Sequence, residues 1–423
     1  MRLADQVQAW ESPAPVRVAV SGAQPADSPG AEPNGDGART RGTAGRRPAL
    51  DSSQVMQPPQ VRGHYLRRQR WQRRGKSAEF LAPLAVPTGD GHMKPVRPAS
   101  CGWTIGQGVG IMHDGDRPAG YSGLERCGSI WACPHCGSVI RAGRAAEIEH
   151  AVKEHQKTGG ELLFFTGTVR HHQGDDLALT LDAVMTAWRK MTGNRPWKRW
   201  KKDLGISGYI RSIEVTLGQH GWHPHAHVLL FLDGEISDDQ RDAFRASLFE
   251  LWADAVEKAG AKRPTEKGLD LQKVDKKGKV LAQYIGKIQD EKTAWSAGAE
   301  LARADVKSGR GGSITPMELL DESDERSEAE RARLWREFYT VTKGRRAITW
   351  SRGLKKRYDV GEQDDEEILD AAESTVLVWQ TSAAAYRRLR MRGAVLPAIA
   401  LELAEKEEWE ELAEFLPPDK KVE

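Results

Sequence analysis

Residues 207–232, SGYIRSIEVTLGQHGWHPHAHVLLFL, alternate polar and apolar side chains on both sides of a short GQHG interruption. Alternation at period two marks a strand with one covered face, and two such runs around a glycine-flanked turn read as a β-hairpin. On the first run Ser212, Glu214 and Thr216 form a polar face while Ile213, Val215 and Leu217 form an apolar one. On the second, His223, His225 and His227 must share one face, because side chains change sides at each residue. A loop of Gln219 and His220, or of the four residues from Gly218 to Gly221, sets Glu214 opposite His225. Directly opposed Cβ atoms lie about 4.5–5.5 Å apart, and the diagonal positions of His223 and His227 are still within reach. Two imidazoles and a carboxylate can therefore converge on one ion. Such a nitrogen and oxygen set with open positions suits Mg²⁺ or Mn²⁺ acting on a phosphate, and Zn²⁺ also accepts these donors.

Working outward, ELLFFTGTVRH from residue 161 reads as a buried strand, and LALTLDAVMTAWRKM from 177 has the three-and-four apolar spacing of a helix. A second helix is predicted over about 237–258, opened by Ser237 as N-cap with acids in its first turn. A short strand at GLDLQKV and a helix at VLAQYIGKI follow. The order β-α-β-β-α-β-α predicts an α+β fold, with a ferredoxin-like or RRM-like antiparallel sheet and helices on one face.

In VLAQYIGKI, Tyr284 and Lys287 stand three residues apart and so share a helix face. The pair reads as a nucleophile and a charge that steadies the phosphate under attack. A tyrosine titrates near 10, so a metal polarising the phosphate and a neighbouring cation would both favour the phenolate's attack. Alone, a Tyr-x-x-Lys pair is as common on any amphipathic surface helix; its weight comes from following HPHAH.

The chain of 423 residues is 39% hydrophobic, enough for at least one core. Its longest apolar runs fall well short of the roughly 20 residues a membrane-spanning helix needs, and the N-terminus lacks an apolar signal core. A soluble, cytoplasmic bacterial protein without a membrane partner is expected. The net charge of +3 conceals sorting of charge along the chain. Windows 62–76, 186–202 and 343–357 each hold seven Lys or Arg and no acid, whereas 361–370 holds six acids and no base. Basic stripes of this kind suit phosphate backbones. In the second window Trp197 and Trp200 stand among Arg189, Lys190, Arg195, Lys198, Arg199, Lys201 and Lys202. These two rings either stack on unpaired bases or pack inward, while Trp188 is expected to pack inward. In the third, Arg345, Arg346, Arg352, Lys355, Lys356 and Arg357 are expected to line a nucleic-acid groove.

Four cysteines fall between 101 and 136: Cys101, Cys127, Cys133 and Cys136. They are too few and too clustered for a secreted disulfide scaffold. The knuckle Cys133-Pro-His-Cys136 with two upstream thiols suits one tetrahedral structural Zn²⁺, with His135 and His113 as alternative ligands. The surrounding residues lack the βαβ pattern of a redox CxxC.

HPHAH after an acidic strand, a Tyr-x-x-Lys helix beyond it and FFTGTVRH before it resemble the HUH endonucleases, and more narrowly the plasmid rolling-circle replication initiators. CGSIWACPHC and ITWSRGLK are similar to segments of that plasmid group, so the resemblance spans roughly residues 100–360. It implies a divalent ion on His225 and His227, Glu214 or His223 as third ligand, Tyr284 as nucleophile and Lys287 as its helper. It also implies site-specific nicking and rejoining of one DNA strand at a plasmid origin, with double- and single-stranded DNA, a host helicase and a polymerase as partners. Some relatives carry a glutamate one turn before the tyrosine to activate water at termination; here that position is Val280. A transposase or relaxase of the same chemistry, and a zinc-containing DNA-binding regulator that never cuts, are the alternatives. The expected organisation is a disordered basic region over 1–98, a Cys-rich zinc module over 99–150 and an HUH nicking domain over 151–295. A basic DNA-contacting segment over 296–360 and an acidic helical tail over 361–423 complete it.

Overall fold

The computed structural model describes residues 59–274 and 313–419. In chain order, the elements that position the site begin with helices α1 (Pro59–Leu81) and α2 (Pro134–Lys157) and strand β1 (Glu161–Thr168). Helices α3 (Leu177–Gly193) and α4 (Arg195–Asp203) lead to the hairpin strands β2 (Ile206–Gly218) and β3 (Gly221–Leu232). Helix α5 (Asp238–Glu257), strand β4 (Leu269–Lys273), helix α6 (Glu328–Thr342) and strand β5 (Ile348–Trp350) follow. The strands form one antiparallel sheet in the order β4-β1-β3-β2-β5. Its first four strands, joined through α3–α4 and α5, have the split β-α-β succession that the sequence pattern predicts. The fifth, ITW, is an addition at the β2 edge for which the sequence pattern predicts no strand.

The hairpin closes on Gln219 and His220, with Gly218 opposite Gly221, so the shorter of the two expected loops is the one adopted. Gly221 at φ 87° supplies the left-handed residue that lets β3 leave the turn. Helix α5 begins where expected: Ser237 accepts from the Gln240 backbone, and the Gln240 side chain accepts from the Ser237 N–H.

Helices cover both faces of the sheet, a correction to the expectation of one. On the first face Phe165, Ile213, Val215, Ala226, Val228 and Leu230 are buried beneath α3 and α5. The Phe165 ring meets Trp188 and Trp252 at 5.4 and 5.6 Å between centroids. The second face is covered only at one end, where Leu162, Phe164, Ile210, Leu229 and Phe231 pack against Ile148 and Val152 of α2 and against Leu354 and Tyr358. The physical reason lies in β3, which passes from alternation in HPHAH to an unbroken apolar VLLFL, and such a run needs cover on both sides. Fully buried Phe164, Phe165 and Phe231 each contribute roughly 1.5–3 kcal/mol by area. The uncovered half of this face carries the histidines.

Residues 59–81, expected within an irregular region, are helical: Trp71, Phe80 and Leu81 are buried. Two of the basic groups of this helix are met intramolecularly, Arg68 by the buried Glu402 and Arg67 by Glu405, whose carboxylate also lies 3.0 Å from His64 Nε2. Acids more than 300 positions away supply an order that no local periodicity announces. The region after 361 likewise differs from a simple tail. Its strand Leu377–Ser382 joins Gly108–Met112 and Gly120–Ser122 in a three-stranded sheet, and Leu396–Glu405 forms a buried helix. Helix α2 crosses the boundary expected at residue 150, and one core joins Phe80, Ala99 and Trp131 to Leu163 across the boundary expected at 98. No helix among the described residues is long and apolar enough to cross a membrane.

Candidate metal and nucleic-acid sites

The register of the hairpin places Glu214 directly opposite His225 and Ser212 opposite His227, as the sequence predicts. His225 Nε2 and His227 Nε2 lie 2.6 and 2.8 Å from the same oxygen, Glu214 Oε2. Ligand atoms of the three residues lie within 4.8 Å of one another, so the group can hold one metal ion. Each imidazole is oriented through its other nitrogen. His225 Nδ1 lies 3.2 Å from the His223 carbonyl, and His227 Nδ1 pairs with the Thr166 hydroxyl at 3.1 Å. Fixing the second nitrogen sets the ring plane and leaves Nε2 turned toward the shared carboxylate. The Phe164 ring stacks on His227 at 5.5 Å and 13°.

His223 shares the strand face but stands outside the ligand group. Its ring stacks on His171 at 4.6 Å, and burial pushes its pKa down to about 3, which keeps it neutral near pH 7. Its contribution is the backbone carbonyl that orients His225. Thr166, Phe164 and His171 are site neighbours that the sequence reading missed. The signal was present in FFTGTVRH, where Phe164, Thr166 and Thr168 alternate and β1 pairs Thr166 with His227 and Thr168 with His225. Tyr284, Lys287 and Val280 lie outside the described residues.

The four cysteines converge in a second cluster, all buried and none in a disulfide. Cys101 Sγ lies 3.5 Å from Cys133 Sγ and 3.7 Å from Cys136 Sγ. Tetrahedral metal–sulfur bonds of about 2.3 Å require sulfur separations near 3.8 Å, so the spacing fits one ion. Cys133 caps α2, its sulfur accepting from the Cys136 N–H, with Pro134 in the first turn. Hydrogen bonds from Cys127, Cys133 and Cys136 draw the Cys101 thiol far below the usual thiol range. His135 and His113, the alternative ligands, stand outside the group: His135 is held near pKa 4 by burial, and His113 Nδ1 pairs with the Arg117 carbonyl.

Among the basic segments, tertiary packing separates the aromatic rings from the cations. Trp197 is buried against Trp188 and Phe244, and Trp200 packs on Phe244 while its indole N–H donates to Ser247 at 2.8 Å. The Trp197 ring thus belongs to the core, the inward-packing alternative, and the half-buried Trp200 ring packs against that core. Arg189, Arg195, Lys198, Arg199, Lys201 and Lys202 remain exposed, and Lys198, Lys201 and Lys202 line a surface hollow with Ile206, Ser207 and Asp233. Lys190 donates to the Lys258 carbonyl. In the third window Arg345 pairs with Asp182, Lys355 with Glu147 and Arg357 with Asp233, while Arg346, Arg352 and Lys356 are exposed.

Comparison with known proteins adds an independent line. The family described as "Replication protein" matches residues 127–387. A "Protein rep" of Streptomyces lividans is 32% identical over 315 residues, 60% of this chain and 68% of the relative. A "Protein rep" of Streptococcus pneumoniae is 32% identical over 106 residues, 24% of this chain and 31% of the relative. A Streptomyces cyanogenus protein named "Neomycin resistance protein" is 30% identical over 159 residues, 32% of this chain and 36% of the relative. No solved structure matches the chain significantly.

Proposed function

Because the chain belongs to the replication protein family of plasmid rolling-circle initiators, we propose that it binds the double-strand origin, nicks one strand through Tyr284 and later rejoins the ends. The observation that carries this reading is the convergence of His225 Nε2, His227 Nε2 and Glu214 Oε2 on one point. These three residues would hold a divalent ion, Mg²⁺ or Mn²⁺, which when bound makes the scissile phosphorus more electrophilic. The Tyr284 oxygen attacks that phosphorus, a phosphotyrosyl bond forms at the 5′ side, and the bond to the 3′ oxygen breaks. The phenolic proton leaves with solvent, and the freed 3′-hydroxyl primes synthesis. Lys287 steadies charge on the phosphate during the transfer. Since the phosphotyrosyl bond conserves the energy of the broken one, a second transesterification can reseal the strand without ATP. The HUH arrangement of the sheet is part of the same proposal.

The cysteine cluster would hold a structural Zn²⁺, the ion that a closed set of four sulfurs selects. Arg195, Lys198, Arg199, Lys201 and Lys202 on α4, with Arg346, Arg352 and Lys356, would follow the DNA backbone, and a host helicase and polymerase would extend the primer.

The reading is tested by incubating the full chain with supercoiled plasmid bearing its origin and Mn²⁺. Open circles carrying covalently attached protein are expected. Origin binding without any nick would instead identify a DNA-binding regulator.

A further inference from the structure

Two arginines with no acidic partner among the described residues approach the cysteine cluster from opposite ends of the chain. Arg74, on α1, is 4% exposed, and its Nη2 is buried without a hydrogen-bond partner among the described residues. Its guanidinium lies 3.5 Å over the Trp71 ring and fills the space where Gly102 would carry a Cβ, 2.5 Å from the guanidinium carbon. Arg390, on the helix Ala383–Arg392, donates to the Gly102 carbonyl at 2.6 Å. Gly102 follows Cys101 directly and adopts φ 77°, so both guanidinium groups are seated against the backbone of the residue next to a candidate cysteine ligand.

The acids of this region are committed elsewhere. Asp370 and Glu373 pair with Arg126, Glu402 with Arg68, Glu405 with Arg67, and Glu125 accepts from Ser100. A ring face offsets only part of the cost of withdrawing a guanidinium from water. A divalent ion held by four thiolates, in contrast, carries a net double negative charge, which two arginines balance.

We propose that Arg74 and Arg390 are the counter-charges of a metal-bound Cys101–Cys127–Cys133–Cys136 cluster, so that the ion fastens helix α1 and the helix Ala383–Arg392 to the domain as well as folding its own loop. This rests on the metal reading of the cluster given above. Removing the ion leaves two positive charges against Gly102 without their counter-charge, and both helices loosen together.

The test uses the full chain, its metal content measured by elemental analysis and its metal retention measured by titration with the chelator 4-(2-pyridylazo)resorcinol. Arg74→Met and Arg390→Met should each release metal at roughly 10- to 100-fold lower chelator concentration, the cost typical of losing a group that supports metal ligands. Arg74→Lys should recover part of the difference. Unchanged retention in a metal-loaded Met variant overturns the proposal while leaving the metal site intact. Absence of metal from freshly purified protein overturns both. Hydrogen exchange on the wild type guards against variants that fail to fold. After metal removal, amides of 63–81 and 383–392 should lose protection along with those of 127–137, and loss confined to 101–137 overturns the proposal.

Discussion

Glu214 and His225 face each other across the hairpin with 2.6 Å between Oε2 and Nε2, and the same carboxylate oxygen lies 2.8 Å from His227. His223, two residues before His225 on the same strand face, turns its ring to His171 instead. The nicking reading therefore assigns these histidines unequal consequences. Alanine at His225 or His227 should reduce metal-dependent relaxation of supercoiled plasmid to background while duplex binding survives. Glu214→Ala should weaken metal affinity more than His223→Ala. Wild-type nicking by the His225/His227 double variant across Mg²⁺ and Mn²⁺ titrations would refute the assignment, and the reverse order of affinities would make His223 the third ligand.

Tyr284→Phe removes only the phenolic oxygen, so it should bind origin DNA normally and form no covalent adduct. Lys287→Ala should slow nicking by about 10²- to 10³-fold without abolishing it. Peptide mapping of the trapped protein–oligonucleotide adduct checks both; a label outside VLAQYIGKI would reassign the nucleophile.

The buried His155 joins α2 to the sheet. Its Nδ1 accepts from the Tyr358 hydroxyl at 2.6 Å, and its Nε2 donates to the Glu161 carbonyl at 3.0 Å. Burial holds its pKa below the ordinary 6.5. In acid the unfolded chain then binds a proton that the folded chain refuses. The stability contributed by neutral His155 is complete above the unfolded pKa and is lost as pH falls from there toward the folded value. The thermal midpoint should drop between about pH 7.5 and about pH 5.5, with a shallower dependence in His155→Gln. Equal slopes in the two proteins would exclude this group.

Lys198, Lys201 and Lys202 are exposed on α4, while on the same helix the Trp197 ring is buried and the Trp200 ring half-buried. Replacing the three lysines by alanine should weaken duplex binding and flatten its dependence of log affinity on log salt by up to about 2.7, at about 0.9 per phosphate contact. Fluorescence anisotropy across a salt series measures this. An unchanged slope would place the DNA track elsewhere. Trp200→Ala, in contrast, should lower thermal stability, because the ring fills space against Phe244.

Alternation in 207–232 by itself determined the two strands, the faces of their side chains and the pairing of Glu214 with His225, because each follows from backbone geometry over a few residues and one tight turn. Helices α3 and α5, with the Ser237 cap of α5, were legible for the same local reason, as was the clustering of four cysteines around a CxxC knuckle. Only the tertiary structure decided that β3 needed α2 on its second face, that Trp197 belongs to the core with Trp200 half-buried against it, and that His223 turns to His171. Tertiary packing also determined the pairing of the basic helix α1 with Glu402 and Glu405, and the approach of Arg74 and Arg390 to Gly102. These outcomes depend on which distant surface supplies an apolar partner or an opposite charge. A charge run has the same local pattern whether it meets water, a phosphate or a carboxylate more than 300 residues away.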